Sequence, residues 1–103
     1  MRYSFFIFLM ILVGAFSSTT FAAGKAQKGK QIYQAQCIAC HNLNPAKKGA
    51  LGPAVKGASL KLLEFRIIKA CYPKGYKPKR TTKMMPAMAH LKGSIKDIAE
   101  FLI

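Results

Sequence analysis

Acidic side chains are scarce in this 103-residue chain: Glu64, Asp97 and Glu100 stand against 17 lysines and arginines. The formal net charge at pH 7 is therefore +14. A field of this sign favours acidic partners or anionic surfaces, and it speeds their encounter at low salt. The chain has no arginine-rich or aromatic-interleaved segment of the kind that binds nucleic acid, so we expect no nucleic-acid partner.

Residues that bind metals are also few, since the chain contains three cysteines and two histidines. Three of the five lie together as Cys37, Cys40 and His41, and only Cys71 and His90 remain. These two have no paired spacing, which argues against a four-ligand zinc site. The βαβ pattern that usually accompanies a redox-active dithiol is missing as well. We find no internal repeat and no convincing strand, and we expect one small, all-α domain.

The first 22 residues have the character of a secretory signal peptide. Arg2 provides the positive charge, residues 5–16 are apolar, and the small residues Thr20 and Ala22 predict cleavage after Ala22. The apolar run is short for a membrane span of about 20 residues, so we favour cleavage over a retained anchor. We therefore expect an exported, periplasmic domain of residues 23–103 that is not stably inserted in a membrane. A domain this small often needs a covalent or metal staple.

The segment 37–41 reads Cys-Ile-Ala-Cys-His, which is the C-x-x-C-H attachment motif of c-type haem. Two thiols separated by two residues lie on one short turn, so each can reach a vinyl group of the same porphyrin. The adjacent His41 then presents its imidazole to the iron. Export agrees with this interpretation, because c-type haem is attached outside the bacterial inner membrane. A redox dithiol, half of a zinc site and a disulfide are the competing interpretations.

The rest of the mature chain predicts three helices separated by two long irregular stretches. The first helix covers 24–36, the second runs from the N-cap Ser59 to about Ala70, and the third begins at Ser94, with Asp97 at capping-box spacing. In the first helix the apolar residues are Ile32, Tyr33 and Ala35, and Gly29 and Tyr33 lie four apart on one face. The apolar stripes of the second and third helices are Leu60, Leu63, Ile67 and Ile68, and Ile95, Ile98, Ala99 and Leu102. Prolines and glycines make 42–58 and 71–93 irregular. The second of these carries Met84, Met85 and Met88.

Taken in order, these features resemble the small monohaem class I cytochromes c. The resemblance covers the whole mature chain and rests on the order in which its features occur. These are Gly29 and Tyr33 in the first helix, C-x-x-C-H, Gly52-Pro53, a middle helix, Met85-Pro86, and a last helix carrying Phe101. It implies a class I cytochrome c fold, with about three helices and long loops wrapped around one covalently bound haem c. Asn42 departs from the family pattern, because many relatives have glycine after the haem histidine.

The resemblance also implies a role for each matching residue. Cys37 and Cys40 would form the haem thioethers, His41 would be the proximal iron ligand, and the Pro53 carbonyl would accept a hydrogen bond from His41. Met85 would be the distal iron ligand. Met84 and Met88 remain alternatives to it, as does His90 through bis-His ligation. The first and last helices would cross, with Gly29 allowing close approach near Phe101.

The function that follows is one-electron transfer between redox proteins outside the inner membrane, without catalysis. We expect a monomeric carrier whose lysines steer it to redox proteins with acidic docking surfaces. An alternative is the electron-accepting cytochrome subunit of a periplasmic oxidoreductase, for example one acting on sulfur compounds. A third interpretation is a haem sensor or enzyme with an open distal site. Cys71 is predicted to be a buried small residue at the end of the middle helix, with pairing between chains as the alternative.

Overall fold

A computed structural model describes residues 20–81 and 83–103, with side chains from residue 24 onward. Almost all of the predicted signal peptide lies outside these residues. The first helix, α1, covers Thr20–Gln36. The second, α2, covers Leu60–Leu63 and continues as a π-helical turn over Glu64–Ile68. A 3₁₀ helix at Ala89–Ser94 leads directly into α3 at Ile95–Phe101.

Helices α1 and α3 cross in close contact, and the contact centres on Gly29. A Cβ atom at Gly29 would overlap the main-chain carbonyl of Asp97 and would lie 3.0 Å from the Cα of Ile98. Only glycine allows the two backbones to approach this closely. Four residues later on the same face of α1, the ring of Tyr33 packs on the ring of Phe101, with 5.4 Å between the ring centres. The predicted crossing is confirmed, with the closest approach one turn before Phe101.

The middle helix begins as predicted but ends early. The Oγ of Ser59 accepts a hydrogen bond from the Leu62 amide at 3.1 Å, which confirms the N-cap. The helical backbone stops at Ile68, and Ala70 then adopts a left-handed conformation with φ +52°. This reversal turns Cys71 outward, so Cys71 is exposed and its predicted burial is wrong.

The last helix differs at its first residue, where the predicted capping box does not form. Ser94 makes no side-chain cap hydrogen bond, and its φ and ψ of −109° and −2° lie in the helical region. An N-cap residue normally has an extended backbone, whereas Ser94 already belongs to the preceding 3₁₀ helix. The apolar stripe of α3 is nonetheless correct, since Ile95, Ile98 and Leu102 are all buried.

The core joins all three helices and the 3₁₀ helix. Its buried members are Tyr33, Leu63, Ile67, Leu91, Ile95, Ile98 and Leu102. Leu60, the first residue of the apolar stripe predicted for the middle helix, stays 40 % exposed at the start of α2. The described residues contain helices and no strands, which confirms the all-α fold class. None of the helices in this part of the chain has the length and apolar character needed to span a bilayer.

The crossing of α1 and α3 predicts that Gly29→Ala destabilises the protein. The added methyl group must push the Asp97 carbonyl away, and overpacking of this kind costs about 1–3 kcal/mol. Gly93→Ala is the matched control, because a Cβ there would meet no atom within 4 Å. Thermal denaturation followed by circular dichroism should show a lower midpoint for Gly29→Ala alone. Equal midpoints for the two variants would contradict the close contact.

Candidate haem site

The end of α1 determines where the C-x-x-C-H segment lies. The Cys37 amide donates to the Tyr33 carbonyl at 2.9 Å, which continues the helical pattern for one more residue. The chain then turns tightly, because the amides of Cys40 and His41 both donate to the Cys37 carbonyl, at 3.3 and 2.9 Å. The turn brings both half-buried cysteines and His41 to the wall of one cleft.

The environment of Cys37 differs from that of the reactive thiol in a redox-active dithiol. Burial raises the pKa of the Cys37 thiol to about 11, so this thiol is protonated at neutral pH. Redox-active C-x-x-C pairs instead depend on a thiol whose pKa is lowered. A zinc site also lacks ligands, since the described residues contain no group of three or more His, Cys, Asp or Glu side chains placed to hold a metal ion. A disulfide and attachment of a group through sulfur remain.

The imidazole of His41 is fixed by the loop that follows it. Its Nδ1 lies 2.8 Å from the Pro53 carbonyl oxygen. A carbonyl can only accept, so Nδ1 carries the hydrogen and Nε2 keeps its lone pair for a ligand bond. Gly52 packs against the ring, where a Cβ would lie 2.5 Å from both Cε1 and Nδ1 of His41. Glycine at position 52 therefore leaves room for the imidazole in this orientation.

Asn42, which departs from the family pattern, organises the start of this loop. The buried Tyr33 hydroxyl donates to the Asn42 carbonyl. The Asn42 side chain accepts from the Asn44 amide at 2.8 Å and donates to the Lys48 carbonyl at 3.3 Å. Asn44 repeats the pattern by accepting from the Ala46 amide at 3.0 Å. The Asn-x-Asn spacing signals such Asx turns and would have revealed this role in the sequence.

The three methionines all border the same cleft as His41 but differ in exposure. Met84 is 64 % exposed, whereas Met85 and Met88 are half-buried and pack against the core. The backbone of Met88 is fixed because its amide donates to the Ile67 carbonyl at 2.6 Å. His90 is exposed and does not border the cleft.

A stack of three side chains that the sequence analysis did not single out forms another part of the wall. The guanidinium of Arg66 lies 4.2 Å above the centre of the Tyr72 ring. The Tyr72 ring in turn stacks on the Tyr76 ring, with 5.4 Å between the ring centres and an angle of 9° between the ring planes. All three border the cleft. Arg66 and Tyr72 lie six residues apart on either side of the chain reversal at Ala70, so no helical or strand spacing signals the stack.

The cleft fits a haem. Its volume of about 530 Å³ lies within the range of about 300–1,000 Å³ that is usual for small-molecule and cofactor sites, and its walls are mainly apolar. Two cysteines and a histidine, which carry thiols and an imidazole, border it on one segment, and three methionines, which carry thioethers, border it on another. These are the donors that attach and ligate haem in c-type cytochromes.

Comparison with known families decides the class of protein. Residues 24–102 match the family model described as cytochrome C oxidase, cbb3-type, subunit III. The chain belongs to this family. It is therefore a small monohaem c-type cytochrome that holds one covalent haem c with its iron, and its domain serves haem-based electron transfer. Neither a curated protein nor a solved structure matches the chain.

The position of Gly52 predicts that Gly52→Ala disturbs the haem environment of the cytochrome. A Cβ 2.5 Å from the imidazole forces either the ring or the 49–53 loop to move, at about 1–3 kcal/mol. We expect a lower unfolding midpoint together with a changed haem absorption spectrum. Gly93→Ala, which adds the same methyl group in open space, should keep the wild-type spectrum. An unchanged spectrum in Gly52→Ala would show that the imidazole is not held as described.

Proposed function

We propose that this cytochrome is an electron carrier with His41 and Met85 as axial iron ligands, transferring one electron at a time between redox proteins outside the inner membrane. The observation that carries the proposal is the cleft itself, because His41 is oriented at one wall by Pro53 while a methionine segment borders the same space. The bound haem would accept and release one electron reversibly, through the ferrous and ferric states of its iron.

In this proposal each residue of the motif has one task. Cys37 and Cys40 form thioether bonds to the haem, and the tight turn that ends at His41 holds both sulfurs at one wall. His41 ligates through Nε2, since its Nδ1 hydrogen is engaged by the Pro53 carbonyl at 2.8 Å. That hydrogen bond also increases the basicity of the imidazole, as outer partners of ligating histidines generally do.

Met85 is the best distal ligand among its neighbours. Met84 is mostly exposed, so it is poorly placed for a site that excludes water. Met88 is half-buried like Met85, but no proline follows it. Met85 is half-buried, borders the cleft and precedes Pro86, the arrangement that the family resemblance implies.

Filling both axial positions has a functional consequence. With an imidazole on one side and a thioether on the other, no iron position is open to a substrate or a gas. A soft thioether and an apolar cleft both stabilise the reduced, less charged iron. The protein then sets the reduction potential and the docking surface, which is the work of a carrier.

The surface charge supports docking to acidic redox partners. Lys56 and Lys79 are exposed at the edge of the cleft, where they can attract carboxylates of a partner. The other lysines and arginines add to the positive field, and the full sequence has a formal net charge of +14. The proposal includes export by the predicted signal peptide with cleavage after Ala22, a periplasmic location and a monomeric state.

A second candidate function follows from the family description, which names an oxidase subunit. In that case the cytochrome would accept electrons within a stable assembly rather than as a free shuttle, for example in a periplasmic oxidoreductase. Gel filtration of the protein purified from its own host at low and high salt separates the two. A free carrier elutes at the size of one chain, whereas a subunit elutes with a larger partner.

The assignment of Met85 predicts a specific spectroscopic loss. Oxidised wild-type protein should show the weak far-red absorption band of a methionine–iron bond, and Met85→Ala should lose this band and bind carbon monoxide when reduced. Met84→Ala and Met88→Ala are the matched controls and should keep the band, although Met88→Ala, like Met85→Ala, should be less stable because both side chains pack on the core. A band that survives in Met85→Ala and disappears in either control would assign the other methionine.

The lysines at the cleft predict a charge-dependent rate of electron transfer. Reduction by anionic ferrocyanide should slow as ionic strength rises, whereas reduction by a cationic ruthenium hexaammine complex should accelerate. Lys56→Glu should weaken the first effect more than Lys92→Glu, because Lys92 is exposed in the 3₁₀ helix and does not border the cleft. Stopped-flow absorption measures both rates. Rates that do not change with ionic strength would contradict electrostatic steering of the redox reagents by these lysines.

A further inference from the structure

The basic loop before the methionines reaches across to the loop that follows His41. The Nη2 of Arg80 donates to the Gly49 carbonyl at 3.1 Å, and its Nη1 lies 3.5 Å from the Ala50 carbonyl. Nearby, the Nζ of Lys79 donates to the Ala54 carbonyl at 3.1 Å. Arg80 and Gly49 are 31 residues apart in sequence, so these hydrogen bonds join two segments that no helix connects.

The carbonyls that Arg80 contacts belong to the turn that holds the imidazole. The Gly49 amide donates to the Gly52 carbonyl at 2.9 Å, which closes the turn. The amides of Leu51 and Gly52 both donate to the Cys40 carbonyl, at 3.1 and 2.9 Å. Since Gly52 packs directly on the His41 ring, any movement of this turn moves the surface on which the ring rests.

On its other side, Arg80 limits the position of the methionine segment. Met85 is only five positions after Arg80, and an extended chain over five positions spans at most about 18 Å. The far end of the segment is also fixed, because the Met88 amide donates to the Ile67 carbonyl at 2.6 Å. The segment that carries Met85 is therefore tethered at both ends, by Arg80 to the histidine turn and by Met88 to the core.

We propose that Arg80 is a positioning residue that ties the Met85 segment to the 49–52 turn, so that the two axial ligands are held as one unit. This inference rests on the proposed His41 and Met85 ligation. Arginine suits the task because its planar guanidinium can donate to two carbonyls at once, which a lysine ammonium cannot do with the same geometry. The shorter of the two bonds is partly buried, so competition from water is reduced.

The test is the displacement of methionine by added imidazole in the oxidised protein. Loss of the contacts to Gly49 and Ala50 should free the Met85 segment, so Arg80→Ala should bind imidazole about tenfold more tightly than the wild type. Its far-red methionine–iron band should be weaker as well. Arg80→Lys keeps the positive charge but lacks the planar guanidinium, so its affinity for imidazole should lie between those of the wild type and Arg80→Ala. This intermediate variant also decides the question if Arg80→Ala fails to retain haem.

Two controls separate this effect from charge and from general stability. Lys77→Ala removes an exposed positive charge in the same loop, at a residue that donates to no carbonyl among the described residues. Ile95→Val trims a buried side chain of α3 that does not border the cleft, which lowers stability without touching the site. Neither should change the affinity for imidazole, although the second should lower the unfolding midpoint.

The outcomes distinguish this inference from the proposed function. A wild type without the far-red band would overturn the axial pair, and the role of Arg80 would fall with it. A wild type with the band, in which the Arg80 variants match Lys77→Ala, would overturn only the role of Arg80. A graded gain of imidazole affinity from Arg80 through Lys to Ala, with both controls unchanged, would support it.

Discussion

The close crossing of α1 and α3 at Gly29 is the contact on which the rest of the structure depends. Helix α1 ends at Gln36, one residue before Cys37, so the crossing determines where the haem-attachment motif emerges from the core. One turn beyond Gly29, Tyr33 packs on Phe101 and donates to the Asn42 carbonyl just after the motif. Helix α1 therefore connects the packing contacts of the core directly to the segment that borders the cleft.

The local part of this structure could be predicted from the sequence. C-x-x-C-H is contained in five residues, and the cap at Ser59 and the stripe of α3 depend on neighbours three or four positions away. The family, the all-α fold and the covalent haem are accordingly confirmed. The signal peptide and the roles of Cys37, Cys40, His41, Met85 and Pro53 stay predictions, although the hydrogen bond between His41 and Pro53 has the geometry that its predicted role requires.

What the sequence could not provide depends on contacts between distant segments or on the preceding backbone. Ser94 has a good capping residue type, but the 3₁₀ helix before it removes the extended conformation that capping needs. Cys71 follows a helix whose apolar stripe suggests burial, yet the left-handed Ala70 turns the chain outward. The reach of Arg80 to Gly49 spans 31 residues and leaves no periodic signal.

The tethering of the methionine segment has a consequence for how the domain opens. Of the described residues between 77 and 87, none donates a backbone hydrogen bond from its amide to another part of the main chain. Segments of this kind open at a free energy below that of global unfolding, and their amides exchange with solvent first. If Met85 ligates the iron as proposed, its loss from the iron would therefore require only a local opening of this segment, while the helical core stays folded.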